Sequence, residues 1–151
     1  MDLKELYGSL QKHEKNLNEL LETVQKKQIA LISMSHQGIE DSIQLEEKLL
    51  IRVKEIEKER QSALDNLTLT YNTKFNSTKL SDVVEKLKNL VSEDELKSLT
   101  KFESKIKNLA EMISDVNNQN MFLIQHSKRF INETINTLLS NNKKSIVDRK
   151  I

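Results

Sequence analysis

The chain contains no cysteine, no proline and 2 glycines in 151 residues. Without cysteine there is no disulfide framework, no thiolate metal site and no thiol nucleophile, and nothing points to an oxidising compartment. Most folds make their turns with glycine and proline; an architecture of a few long helices can do without them. Aromatic residues are 4% of the chain and tryptophan is absent, which does not fit a deep enzyme core. Charge of one sign is missing too. Lys and Arg total 24 against 23 Asp and Glu, a net +1, so there is no electrostatic case for a partner of nucleic acid or membrane surface. No window approaches the roughly 20 apolar residues of a membrane span. Met1-Asp2-Leu3-Lys4-Glu5 lacks the basic region and apolar run of a secretion signal. The expectation is one soluble domain working inside the cell.

What the chain does have is heptads. Leu3, Leu10, Leu17, Val24 and Leu31 recur every seven residues, with Leu6, Tyr7, Leu20 and Leu21 three or four along. That is the amphipathic helix period in nearly coiled-coil register, and it predicts a helix over about 2–34, with Asp2 and Glu5 as a capping box. Polar residues at 33–38 include Gly38 and two serines suited to an N-cap, so a tight turn is expected there; one continuous, kinked helix is the rival. A second helix over about 37–69 carries Ile39, Ile43, Leu49, Leu50, Val53, Ile56, Ala63, Leu64 and Leu67, with a charged, solvated face between. The Thr/Asn/Ser-rich stretch 68–81 reads as a loop or frayed end. Ser81 suits the cap of a short helix over about 82–91, and Ser92 with Glu95 is a capping box for a last long helix over about 93–139. Its seam is Leu96, Leu99, Phe102, Ile106, Leu109, Ile113, Val116, Leu123 and Phe130, with Asn120 and Ser127 as polar interruptions. The polar, basic stretch 141–151 is expected to be a mobile tail. The fold class is all-α: an elongated antiparallel bundle of three long helices and one short one, packed like a coiled coil.

Towards its end the last helix has more apolar surface than one thin seam can bury. Ile124, Ile131, Ile135 and Leu138 form a second stripe, widened by Met121 and Phe122. Either this end packs in a broader four-helix core, or it leaves a strip for a partner helix. Chemistry is absent elsewhere. Gly8 and Gly38 stand alone, not in a phosphate loop. His13, His36 and His126 show no metal-ligand spacing, and His13 and His126 read as seam-edge or surface residues. No catalytic arrangement stands out from the charge background. No cofactor, metal, nucleic acid or membrane insertion is expected, and the pattern suits a protein that binds other proteins.

Two stretches carry a resemblance. Residues 17–32 read LNELLETVQKKQIALI, followed by a polar turn, then Leu45-Glu46-Glu47-Lys48-Leu49-Leu50 and Glu57-Lys58-Glu59-Arg60; near the end stands Val116-Asn117-Asn118-Gln119-Asn120-Met121-Phe122-Leu123-Ile124. This resembles the FlgN-type flagellar export chaperones, with their "K/E-Q-x-x-L", turn, "E/K-x-x-L-L", "L-E-x-x-R" and "N-x-x-N-x-x-L-I". Asn117, Asn120, Leu123 and Ile124 match the last and most specific element; Gln28, Leu31, Lys48, Leu49, Leu50 and Arg60 match the earlier ones, over about 3–139 in all. The resemblance implies a cytoplasmic bacterial protein, not an enzyme. Its partners would be hook-associated proteins, whose aggregation-prone terminal helices it covers, and components of the flagellar export gate or ATPase complex. The family's client site is its C-terminal helical part, here Met121, Phe122, Ile124, Ile131, Ile135 and Leu138. Asn117 and Asn120 either contact client or pair across the bundle to fix its register. Some members have a tail tyrosine linked to gate docking; the stretch 141–151 has no aromatic, with Ile146 and Val147 as the apolar substitutes. The rival reading of the heptads is a structural coiled-coil module, which predicts a stable homodimer. A ligand-binding bundle would need converging polar groups, for which only Asn120 and Ser127 offer themselves.

Overall fold

The structure is a computed structural model that describes residues 3–150, with side chains described for 3–140. The chain is all-α: α1 (Lys4–Ile32), α2 (His36–Tyr71), α3 (Leu80–Leu87) and α4 (Glu93–Lys150). Cross-helix bonds give the directions. Lys12 pairs with Glu59 and Lys27 with Glu46, so α2 runs antiparallel to α1. The Tyr7 hydroxyl donates to the Glu95 carbonyl at 3.2 Å and the Gln28 amide to Gln119 at 2.7 Å, so α4 runs parallel to α1. The three long helices are therefore up-down-up, with α1 packed along both others and α3 closing the lower end.

Heptad residues make the core. Leu3, Leu6 and Leu10 of α1 meet Ala63, Leu64 and Leu67 of α2, Leu80, Val83 and Leu87 of α3, and Leu99 of α4. Higher up, Leu17, Leu20 and Val24 meet Leu49 and Ile113. Each buried leucine contributes about 1.5–3 kcal/mol before ordering costs. Two polar residues stand between these clusters on α1. His13 occupies the heptad position between Leu6 and Leu20, and Asn16 is buried, its amide donating to the Leu49 carbonyl at 3.1 Å. Arg60 of α2 is buried near them. Its Nε and Nη2, His13 Nδ1 and Asn16 Oδ1 have no partner among the described residues. Burial and the Arg60 guanidinium hold the His13 imidazole down at about 4. The core is thus two apolar blocks separated by a polar layer.

The turn expected at 33–38 is present, and its chemistry differs from the expectation. Ser35 N–H donates to the Ala30 carbonyl at 2.9 Å and Met34 N–H to that of Leu31 at 3.4 Å, with Met34 at φ 56. This is a Schellman stop with methionine where glycine is usual. Ser35 caps α2, its hydroxyl accepting from Gly38 N–H. Gly38 lies inside the first turn of α2, not in the loop. A Cβ there would stand 3.0 Å from Ala30 Cβ, so its smallness lets α2 leave close against α1. The short helix starts at Leu80, one residue before the expected cap, and has no side-chain cap. The Ser92–Glu95 box forms in both directions, 3.3 Å each way. Asp2 lies outside the described residues. The last helix does not end at 139. Its backbone continues to Lys150, because no glycine or proline from Glu93 onward supplies a stop.

Candidate protein-interaction surface

The length of α4 creates the surface. Its start is fixed by the Ser92–Glu95 box and by Glu93, Asp94 and Glu95 in the first turn, where negative charge suits the helix N-terminus. Its seam then follows α1 upward through Leu99, Ile106, Leu109, Ile113 and Val116. The last well-buried seam residue is Asn120, 2% exposed, whose Nδ2 donates to the Val24 carbonyl at 3.0 Å. One turn on, Leu123 and Phe122 share a shallow hollow with Ile32, the last residue of α1. There the bundle stops, because α1 ends and α2 begins at the 33–35 turn. From Gln125 to Ser140 every residue of α4 is exposed. Residues 125–150 form an overhang of about 39 Å at 1.5 Å per residue.

The expected interaction residues lie on or beside this overhang. Ile131, Ile135 and Leu138 are 50%, 48% and 58% exposed; their spacing of four and three places them on one helix face, with half-buried Ile124 at its root. Met121 and Phe122 are exposed at the bundle's upper rim, and Phe122 stacks on His126 with centroids 6.1 Å apart. Phe122 is thus on a different face from the isoleucine stripe. Phe130 and Ser127, expected on the buried seam, are exposed, since among the described residues no helix accompanies α4 at that height. Of the two readings of the second stripe, the broader core is absent among the described residues and the open strip is present.

The register residues separate. Asn120 is buried and ties α4 to α1, Leu123 is half-buried, and Asn117 is exposed. Asn16 does for α1 and α2 what Asn120 does for α4 and α1. Both donate to a carbonyl of the neighbouring helix, and both leave Oδ1 unpaired. The heptad reading misses Asn16, although its place one residue before Leu17 puts it at the seam's edge. It also misses the exposed Ile29, Ile32 and Met34 at the upper rim, and it places Ile43 and Leu50 in a stripe where the structure exposes them. Leu49 and Ile56 of that stripe are buried instead.

Other hollows are surface grooves. The one between α1 and α2 is lined by Lys12, Lys15, Glu19, Arg52, Glu55 and Glu59 among others, charges that pair with each other as Lys12–Glu59 and Arg52–Glu19. Among the described residues, no group of three or more His, Cys, Asp or Glu could hold a metal ion, and no helix is long and apolar enough to cross a membrane.

Against this geometry, the model of the family described as FlgN protein matches residues 1–147. The chain belongs to the FlgN family. No curated protein and no solved structure matches it. Membership and the four-helix fold make it a chaperone-type protein-interaction module, in a family that is not enzymatic. In this FlgN protein the Asn117–Ile124 element that carries the resemblance sits where α4 leaves the bundle. Asn120 anchors the helix there, and Ile124 begins the open stripe.

Proposed function

We propose that this FlgN protein is a cytoplasmic flagellar export chaperone that binds hook-associated proteins, keeps them from assembling early and delivers them to the export gate. The observation that carries the reading is the α4 overhang, a helix with an apolar stripe and no neighbour among the described residues. A client's terminal helix, unfolded in the free subunit, would fold along Ile124, Ile131, Ile135 and Leu138 and bury them. Each side chain contributes about 1.5–3 kcal/mol before ordering and association costs. Four of them supply about 6–12 kcal/mol before those costs, a scale that keeps the complex weak enough to permit release at the gate.

The test is light scattering on a sizing column, with the chain alone and mixed with the hook-associated proteins of its own organism. A discrete complex that is lost when their terminal helices are removed supports the reading and names the client. No complex, with a tight homodimer of the chain alone, favours a structural coiled-coil module. Ile131→Asp is expected to abolish the complex and leave helical circular dichroism and the melting temperature unchanged, since Ile131 is half exposed. Unfolding of the variant would place Ile131 in a core and remove the client strip.

A further inference from the structure

The net charge of +1 hides a division between the bundle and its overhang. Residues 125–150 carry Lys128, Arg129, Lys143, Lys144, Arg149 and Lys150 against Glu133 and Asp148, a net +4, so the remainder of the chain is net −3. All of these basic residues lie on the helical segment beyond the bundle. At physiological salt the screening length is about 8 Å, so most of an overhang about 39 Å long stands clear of the bundle's negative charge. The same segment bears the apolar stripe.

We propose that the α4 overhang takes an amphipathic helix whose polar face is acidic. This rests on the client-binding reading above and adds the chemical class of what is bound. The apolar stripe holds such a helix, and the basic residues draw it to the overhang while the acidic bundle repels it. Docking is thereby confined to one end of the molecule and steered before contact. An anionic lipid surface shares the attraction but not the geometry. α4 is one continuous helix from Glu93 to Lys150, so laying its overhang flat on a membrane brings the acidic bundle down beside the same anionic surface.

The experiment uses the full chain and two synthetic helical peptides of about 20 residues, long enough to match most of the overhang. They share one Leu/Ile stripe and differ in a glutamate-rich or lysine-rich polar face. Fluorescence anisotropy is expected to give roughly tenfold or more tighter binding of the glutamate peptide at low salt, shrinking as salt rises. The variant K143E/K144E/R149E/K150E should lose that preference, and Ile131→Asp should weaken both peptides. Equal binding of the two peptides, or a preference that survives charge reversal, overturns the inference. So does partition onto phosphatidylserine vesicles without binding of the glutamate peptide. Hook-associated proteins that bind without salt or charge dependence would leave the chaperone reading standing and remove this one. A glutamate preference with no hook-associated protein bound would do the reverse.

Discussion

Replacing Asn120 by leucine should stabilise this protein while making its fold less single-valued. Asn120 is 2% exposed on the α1–α4 seam; its Nδ2 donates to the Val24 carbonyl at 3.0 Å, and its Oδ1 is buried without a partner. Leucine forfeits that hydrogen bond, a net loss of about 1 kcal/mol. It removes an orphaned acceptor whose desolvation costs about 1–3 kcal/mol. It also adds apolar contact with the block at Val24 and Ile113, offset by about 1–3 kcal/mol if the larger shape strains its neighbours. The balance is a gain of about 1–2 kcal/mol, which in a chain of this size raises the melting temperature by roughly 2–8 °C. The cost falls on register. With the asparagine gone, Ile106, Ile113 and the substituted leucine would form an unbroken apolar run able to slide one turn along α1, as polar seam residues normally prevent. Urea unfolding followed by circular dichroism reads the stability, and amide cross-peak doubling in a nitrogen-edited proton spectrum reads the register. A loss of about 1 kcal/mol or more would refute the reasoning, because it would mean the Asn120–Val24 bond outweighs both the orphaned oxygen and the apolar gain.

Further expectations concern the polar layer and the turn. His13 has its folded pKa depressed to about 4 from an ordinary 6.5, so between those values the unfolded chain binds the extra proton. Stability is therefore full above about pH 6.5 and falls as pH drops towards 4, by about 1–2 kcal/mol after allowance for solvent screening of a partly exposed ring. In urea melts across that range His13→Leu should flatten this slope, and an unchanged slope would assign it to other groups. Met34→Gly should raise stability by about 0.5–1 kcal/mol, since φ 56 suits glycine. Gly38→Leu should lower it by about 1–3 kcal/mol through its clash with Ala30. Thermal melts giving the opposite signs would mean that the turn is built differently.

How much was legible follows from which features are periodic. Leu3, Leu10, Leu17 and Val24 announce α1 because burial selects for spacing, and all four are buried. Ser92 and Glu95 announce the start of α4 because a cap is local chemistry. The end of α4 was not legible in the same way. Declining apolar content after Leu139 points to a helix end, but a helix already nucleated continues until something stops it, and residues 93–150 hold no glycine or proline. The turn misleads for a related reason. Glycine is the usual left-handed residue, yet Met34 takes that place and Gly38 serves close packing. The open strip was legible as an excess of apolar residues. What decides its exposure is where α1 ends relative to α4, a matter of pairing between distant segments that no local pattern records. His13 reads as a seam-edge residue by spacing and is half-buried, whereas Arg60, which its charge places with the solvated face of α2, is buried at a seam position.

The position of Asn120 links these features. The overhang is helical by propagation from the packed part of α4. The costly nucleus is supplied by the bundle, and each further residue adds only its own small preference. Ile131, Asn132, Thr134, Ile135, Asn136 and Thr137 are weak helix formers, so the strip depends on a firmly held root. Asn120 is the last well-buried residue before it, and its bond to Val24 fixes the face that Ile124, Ile131 and Ile135 present relative to the bundle. A one-turn slip of α4 would move the root of the strip by about 5.4 Å and bring its first residues against Ile32 and the upper rim. The buried asparagine therefore gives up stability in the bundle for a defined exit point of the overhang. Asn120→Leu should then weaken client binding although it makes the protein more stable. Unchanged client affinity in a stabilised variant would separate register from binding.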